Sequence, residues 1–145
     1  MKNGPAILVV DDSENDIELL QAAFKKAEFK PALRHVHNGL EAIAYLQGDA
    51  PYDDRHQSPL PTLILLDLNM PKMDGFEVLG WVRGHARFRH LTVIVLTASM
   101  RVQDIDRAFD LGVNSFLVKP STLEELVAMV RCLRDWIAFN EFPSF

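Results

Sequence analysis

The segment Thr62–Pro71 reads TLILLDLNMP and joins an uninterrupted aliphatic run to a carboxylate. Its four residues 63–66 are aliphatic without any alternation, which is the pattern of a strand buried on both faces of a parallel sheet. Asp67 follows this run directly. A second run, Ala6–Asp12 (AILVVDD), has the same form and ends in two acids. The pattern predicts two central strands whose carboxyl ends present acidic side chains.

Three further segments complete an alternation of strands and helices. Val93–Leu96 is another apolar run, Ala32–His37 is more polar, as an edge strand would be, and Ser115–Lys119 is a fifth strand. Apolar residues at helical spacing fill the gaps: Ile17, Leu20, Phe24 and Ala27; Leu40, Ile43, Ala44 and Leu46; Phe76, Leu79 and Val82; Ile105, Ala108, Phe109 and Leu111; and the segment 121–139. This order predicts an α/β fold of five βα units, with a five-stranded parallel sheet covered by helices on both faces.

Local signals mark several ends of these elements. Ser13 with Asp16, and Ser121 with Glu124, have the spacing of a capping box at a helix start. The connection Gln47–Pro61 holds three prolines and shows no periodicity, so we expect an exposed loop.

Composition and charge limit the class of protein. The 145 residues suffice for one domain, and no apolar run is long enough to cross a bilayer. The net charge is −5 without a basic cluster, so we expect neither a nucleic-acid nor a membrane partner. The single cysteine, Cys132, excludes an internal disulfide, fits the cytoplasm, and is expected to be buried in a helix. No spacing among the histidines, including His35 and His37 on one face of the second strand, indicates a zinc site.

Polar residues follow the interior strands where functional groups of an open parallel sheet gather. These residues are Asp11, Asp12, Asp67, Thr97 and Lys119. Three carboxylates at one edge repel each other unless a cation is present, and Mg²⁺ is the hard ion that accepts a few carboxylate oxygens. Together with a lysine and a hydroxyl, this set suits a transferable phosphoryl group, with one carboxylate attacking phosphorus.

The motifs VVDDSEND, LILLDLNMPKMDG, VIVLTAS and FLVKP occur at these strand ends in order. With them the chain resembles the CheY-like receiver domain of response regulators over nearly its whole length. The resemblance implies a doubly wound, flavodoxin-like sheet with strand order 2-1-3-4-5. It also implies that Asp67 accepts phosphoryl from the phosphohistidine of a sensor histidine kinase, and that the protein is a switch rather than an enzyme.

The same resemblance implies roles for the residues around the acceptor. Asp12 would bind Mg²⁺ directly, with Asp11 as a second ligand or acting through water, and Asp67 and the backbone carbonyl of Asn69 would complete the protein ligands. Thr97 would be the switch hydroxyl, and Lys119 would pair with the phosphoryl group.

Two further features follow from the motif FLVKP. The Lys119–Pro120 bond would be cis in this family. Phe116 stands where the switch aromatic stands, but the commoner residue there is tyrosine, so a readout through a hydroxyl is not available.

Two other classes share parts of the pattern. A phosphatase of the haloacid-dehalogenase type also attacks phosphorus with an aspartate after an apolar strand, but it needs an acid two residues later, where this chain has Asn69. A flavodoxin-like nucleotide or flavin binder would need a phosphate loop after the first strand, where DDSEND would repel phosphate.

A narrower resemblance concerns the output. The long loop before the third strand, the DLGVN segment and the aromatic C-terminus resemble single-domain regulators paired with bacterial phytochrome kinases. We expect one receiver domain over 1–145, with 134–145 as an aromatic extension that either contacts a partner or folds back on the domain. The resemblance implies a bacteriophytochrome kinase as partner, a homodimer, and signalling through protein contacts without a DNA-binding effector.

Overall fold

Five strands alternate with five helices over residues 4–145, the part of the chain that the computed structural model describes. The strands are β1 (Ala6–Val10), β2 (Ala32–Val36), β3 (Leu63–Leu66), β4 (Thr92–Thr97) and β5 (Ser115–Val118). The helices are α1 (Glu14–Lys26), α2 (Gly39–Gln47), α3 (Gly75–Gly84), α4 (Val102–Asp110) and α5 (Leu123–Phe139). Every predicted strand is present, with ends within one residue of the prediction. The first three residues of the domain predicted over 1–145 lie outside the described residues.

The five strands form one parallel sheet in the order β2-β1-β3-β4-β5, as predicted. Ile7 of β1 lies beside Leu63 of β3, and Leu63 lies beside Thr92 of β4. The strand order reverses at β1, because β2 lies on one side of it and β3 on the other. In a doubly wound sheet this reversal places the binding crevice at the carboxyl ends of β1 and β3.

Helices cover both faces of the sheet and bury its central strands. α1 and α5 pack on one face, against a set of strand residues that includes Val9 and Leu65. α2, α3 and α4 pack on the other face, against a set that includes Val10 and Leu66. Because successive strand residues point to opposite faces, both must be apolar, which explains the aliphatic runs without alternation.

Side chains cap most of the helices. Ser13 accepts a hydrogen bond from the Asp16 amide at the start of α1, as predicted. The cap of α5 is Thr122, which accepts from the Glu125 amide, so the predicted Ser121–Glu124 box is displaced by one residue. Both oxygens satisfy an amide of the first helical turn that has no partner within the helix.

Three predicted interior positions are wrong. Leu40 is 58% exposed and Phe109 is 52% exposed, and Cys132 is also exposed. Each lies next to the residue that its helix buries, namely Gly39, Ala108 or Leu133, and one residue is a rotation of about 100° around the helix axis. At Gly39 the fit decides the face, because a Cβ there would lie 2.4 Å from the Met73 carbonyl oxygen.

The connection Gln47–Pro61 is better anchored than the predicted exposed loop. The Arg55 guanidinium donates to the carbonyls of Tyr45 and Leu46 at 2.9 Å each, and to that of Ser58 at 3.1 Å. Tyr45 and Leu46 are in the last turn of α2, whose carbonyls lack helical partners. The loop therefore caps the end of its own preceding helix. Burial raises the pKa of the Tyr45 phenol to about 12.

The C-terminal segment divides into two parts. α5 continues to Phe139, so residues 134–139 of the predicted extension are helical and only 140–145 are not. Phe142 packs on the α1/α5 side and meets Trp136 edge to face at 5.6 Å between ring centroids, and the ring of Phe145 lies 5.7 Å from that of Phe88. The final residues thus fold back on the domain, whereas Phe139 is 91% exposed.

Among the helices of residues 4–145, none has the length and apolar character to cross a membrane.

Candidate functional site

Backbone hydrogen bonds hold the carboxyl ends of the five strands together at one end of the sheet. The Asp11 amide donates to Val36 O at 3.1 Å, and the Asp67 amide donates to Val10 O at 2.9 Å. On the other side of the sheet, the Lys119 amide donates to Thr97 O at 2.8 Å. The parallel pairing therefore continues one residue past the strands and fixes the polar residues at the level where each strand leaves the core.

Lys119 reaches from the end of β5 into a group of carboxylates. Its Nζ lies 2.8 Å from Asp11 Oδ2, 2.8 Å from Asp16 Oδ2 and 3.3 Å from Asp67 Oδ2. The lysine side chain is 18% exposed, and those of Asp11 and Asp67 are 8% and 9% exposed. Such poorly hydrated charges interact strongly, since little water remains to screen them.

Lys119 and Asp11 both have a raised pKa, but burial is the cause of the rise only for Asp11. Burial alone would lower the pKa of Lys119, but hydrogen bonds to Asp11 and Asp16 and the charge of Asp67 outweigh it, and the pKa is raised. Burial raises the pKa of Asp11, and the hydrogen bonds from Lys119 and the Ser13 amide only partly oppose this. Lys119 is therefore a permanent cation at this edge, whereas the Asp11 carboxylate is incompletely compensated.

Three carboxylates form a set of oxygen donors beside this lysine. Ligand atoms of Asp11, Asp12 and Asp67 all lie within 4.8 Å of one another. Amides orient the two buried acids, because Ser13 N donates to Asp11 Oδ1 at 2.9 Å and Leu68 N donates to Asp67 Oδ1 at 2.8 Å. Asp12 is exposed, so the set opens to solvent. Several carboxylate oxygens with room for water fit a hard divalent cation such as Mg²⁺.

The loop after Asp67 approaches the backbone at the end of β3 closely. A Cβ on Gly75 would lie 2.3 Å from the Asp67 carbonyl oxygen, so only glycine permits α3 to begin there. Asp74 caps that helix by accepting from the Glu77 amide at 2.9 Å. Within this loop Asn69 is exposed, two residues beyond the carboxylate. Position and exposure of Asn69 are compatible with the predicted ligand role of its carbonyl, which stays a prediction.

The two predicted switch residues lie on the same face of the sheet. Thr97 ends β4 and is completely buried, and its Oγ1 accepts from the Ser99 amide at 3.5 Å. Phe116 pairs with Val95 in the register of β4 and β5, and it is partly buried against the α2/α3/α4 side. Val95 and Thr97 are two residues apart in one strand, so their side chains point to the same side. Thr97 and Phe116 therefore lie on the same side of neighbouring strands.

Asp16 is the site residue that sequence reasoning missed. Its spacing from Ser13 indicated only a helix cap, and the Asp16 amide does take part in that cap. Its side chain instead binds Lys119 and lines a cleft with Leu20 and Leu126. Leu20 lies four residues along α1 on the buried face, so helical spacing was the available signal that Asp16 also points inward.

One implied backbone feature is wrong. The cis peptide bond found within residues 4–145 is Ala50–Pro51, and the Lys119–Pro120 bond is trans. Lys119 contacts all three of its carboxylate partners with this bond trans.

The arrangement is compatible with phosphoryl transfer to a carboxylate. Comparison with known proteins identifies the family to which the chain belongs. A family model described as the response regulator receiver domain matches residues 7–131. Response regulator Rcp1 of Synechocystis sp. PCC 6803 is 37% identical over 139 residues, covering 95% of this chain and 92% of that protein.

Solved structures of three response regulators match nearly the whole chain. RPA3017, from red light signalling of R. palustris, has a TM-score of 0.91 at 34% identity, and phosphorylated cyanobacterial phytochrome response regulator RcpA has a TM-score of 0.87 at 33% identity. The Mn²⁺-bound form of Rcp1 has a TM-score of 0.84 at 36% identity. Each alignment covers 97% of this chain and 99% of the other. Receiver domains are phosphorylation switches that work with histidine kinases and bind a divalent metal, and this chain belongs to the response regulator receiver domain family of two-component signalling.

Proposed function

We propose that Asp67 is the phosphoacceptor of this receiver domain. The observation that carries the proposal is the position of its carboxylate, which follows a fully buried strand, is oriented by the Leu68 amide, and lies 3.3 Å from Lys119. In the reaction the N–P bond of a kinase phosphohistidine breaks while an O–P bond to Asp67 forms. The histidine nitrogen leaves with the bonding electron pair, and later hydrolysis of the acyl phosphate returns Asp67.

Mg²⁺ is the metal proposed for the acidic pocket, defined here as Asp11, Asp12 and Asp67. Their convergent oxygens supply hard ligands, and the Asn69 carbonyl is proposed as a further one. The bound ion would supply positive charge to the oxygens of the incoming phosphoryl group. Asp11 and Asp12 would hold the ion beside Asp67, and Lys119, which contacts both Asp11 and Asp67, would add its own positive charge.

The switch is proposed to run from Asp67 through Thr97 to Phe116. A phosphoryl group brings about one further negative charge and several acceptor oxygens to Asp67. The Thr97 hydroxyl and Lys119 are the donors at the adjoining strand ends, and Phe116 is only partly buried on the Thr97 side. Drawing the hydroxyl toward the phosphoryl group would shift Phe116 between two existing arrangements.

Asp16 is proposed to tune this chemistry by competing for Lys119. Its Oδ2 is 2.8 Å from Nζ, closer than the 3.3 Å of Asp67 Oδ2. In the unphosphorylated protein the lysine is therefore shared toward Asp16 and Asp11. A phosphoryl group on Asp67 would offer more negative charge and draw the lysine across.

The partner proposed for this site is a sensor histidine kinase of the bacteriophytochrome type, because several similar regulators are named for phytochrome or red light systems.

We propose a cytoplasmic protein whose only chemistry is its own phosphorylation and dephosphorylation, and which signals through protein contacts. The domain would comprise 1–145 with 134–145 as its extension. A homodimer is proposed through the exposed apolar side chains of α5, namely Trp136 and Phe139. Sedimentation equilibrium of the wild type beside Phe139→Glu tests that dimer.

The phosphoacceptor assignment is tested by the mass of the intact protein after incubation with Mg²⁺ and a small acyl phosphate. We expect the wild type to gain one phosphoryl group and Asp67→Asn to gain none. Asp106→Asn, which changes an exposed acid of α4, is the matched control and should behave as the wild type. Phosphorylation of Asp67→Asn at the wild-type rate, or none in the wild type, would contradict the assignment.

A further inference from the structure

A second cluster of metal-binding side chains lies beside the acidic pocket, at the edge strand. His35 lies next to Val9 in the register of β1 and β2, and Val9 packs on the α1/α5 side. His37 lies two residues further and shares that side, whereas Val36 between them is buried on the opposite side. Their imidazoles lie on the same side of the sheet and meet edge to face, with 83° between the ring planes.

Glu14, the first residue of α1, completes the group. Ligand atoms of Glu14, His35 and His37 all lie within 4.8 Å of one another, and the two imidazole centroids are 5.3 Å apart. His37 Nε2 and Glu14 Oε1 are in direct contact. This contact is a hydrogen bond when His37 Nε2 carries the proton, and a metal ion that binds both groups would take the place of that proton.

Glu41 supports the histidine from its other side. Glu41 Oε1 lies 3.5 Å from His37 Nδ1 and accepts a hydrogen bond from the His37 amide at 3.0 Å. Metal-binding histidines usually donate their second ring N–H to a carboxylate, which fixes the tautomer and aims the other nitrogen at the metal. Glu41 is held in turn by Asn38, whose amide nitrogen donates to its other oxygen at 3.3 Å.

The ligand set specifies the class of metal. Two imidazole nitrogens and one carboxylate suit borderline divalent ions such as Zn²⁺, whereas carboxylate oxygens alone suit Mg²⁺. Three protein ligands leave a fourth position for water, and the side chains of His37 and Glu14, 41% and 62% exposed, leave that position accessible.

We propose that Glu14, His35 and His37 form a binding site for a divalent transition-metal ion of the Zn²⁺ class, with Glu41 orienting His37. The spacing of the histidines alone did not indicate a zinc site. The fold brings Glu14, from α1, next to them. A bound ion would link the end of β2 to the start of α1. Because Glu14 is two residues past Asp12, the link would lie directly beside the acidic pocket.

The experiment is a calorimetric titration of tag-free protein with Zn²⁺, with excess Mg²⁺ present to occupy the acidic pocket. We expect one Zn²⁺ per chain in the wild type and at least tenfold weaker binding in His35→Gln, His37→Gln and Glu14→Gln. Glu41→Gln should weaken binding by about 10-fold or more, because the histidine loses its orienting partner. His90→Gln is the matched control, since this exposed histidine lies just before β4, at the amino ends of the strands and away from the cluster.

Folding and ligand type are checked separately. The substituted side chains are at least partly exposed, so thermal unfolding of each variant without metal should match the wild type. Co²⁺ added in place of Zn²⁺ should give a visible absorption band in the wild type that His35→Gln loses. Zn²⁺ binding that is equal in the wild type, His35→Gln and His37→Gln, or absent from the wild type, would overturn the proposal and leave a surface ion pair.

Discussion

Two clusters of ionisable side chains lie at the carboxyl ends of the strands, and they differ in the groups that balance the charge of their carboxylates. In the acidic pocket, the buried carboxylates share the Nζ of Lys119, which directly follows the edge strand β5. In the histidine cluster, defined as Glu14, His35, His37 and Glu41, the partners are imidazoles from an edge strand and the groups are partly exposed. At the ends of β1 and β3 the donor atoms are therefore carboxylate oxygens alone. At the end of edge strand β2 they are imidazole nitrogens together with carboxylate oxygens.

The difference in burial predicts the largest contrast between the two clusters. Lys119→Met removes a positive charge from among three carboxylates, two of them buried, and should lower the free energy of unfolding by about 3 kcal/mol without Mg²⁺. His37→Gln breaks only exposed contacts and should change it by less than about 1 kcal/mol.

Urea unfolding of both variants measures this contrast. Lys119→Arg is the control that retains the charge and should lose less stability than Lys119→Met. Equal losses in Lys119→Met and His37→Gln would show that burial does not separate the clusters.

Metal selectivity is the next contrast. At ten times its dissociation constant, an ion that binds only the folded state stabilises it by about 1.4 kcal/mol. We expect Asp12→Asn to lose this stabilisation by Mg²⁺ but to keep that by Zn²⁺, and His35→Gln to show the reverse. Thermal unfolding of both variants with each ion measures the effect. Loss of both responses in either variant would mean that the two clusters form one site.

The smallest effect concerns Asp16, which borders the acidic pocket without belonging to it. Asp16→Asn should release Lys119 toward Asp67 and accelerate phosphorylation by a small acyl phosphate by about two- to fivefold, since this partly exposed pair contributes up to about 1 kcal/mol. A mass-spectrometric time course measures the rate. Glu18→Gln, an exposed acid on the same helix, is the control. An unchanged or slower rate would contradict competition for the lysine.

Strand positions and the edge where the polar residues gather followed from local pattern. Leu63–Leu66 and Ala6–Val10 are apolar at every position because both faces of each strand are covered, so their ends could be predicted to within a residue. Helix faces were less certain. Leu40 and Phe109 were assigned to the interior, yet Gly39 and Ala108 are buried beside them. At Gly39 the reason is the close approach of the Met73 backbone, which leaves no room for a side chain.

Partnerships between distant side chains were beyond local pattern. Lys119 and Asp16 are 103 residues apart in the chain, and Arg34 reaches the carbonyl of Gln57 across 23 residues. The inward turn of Phe142 likewise depends on the residues that pack around it.

Apolar periodicity and the acids after each apolar run are properties of neighbouring residues, and they were enough to specify a five-stranded parallel sheet, its polar edge and the family. Which charges meet at that edge is a matter of three-dimensional placement. Asp16 turns toward Lys119, and Glu14 toward His37, because α1 packs against the sheet at one particular position. A contact between residues far apart in sequence depends on how whole elements pack, and no short window of residues carries that information.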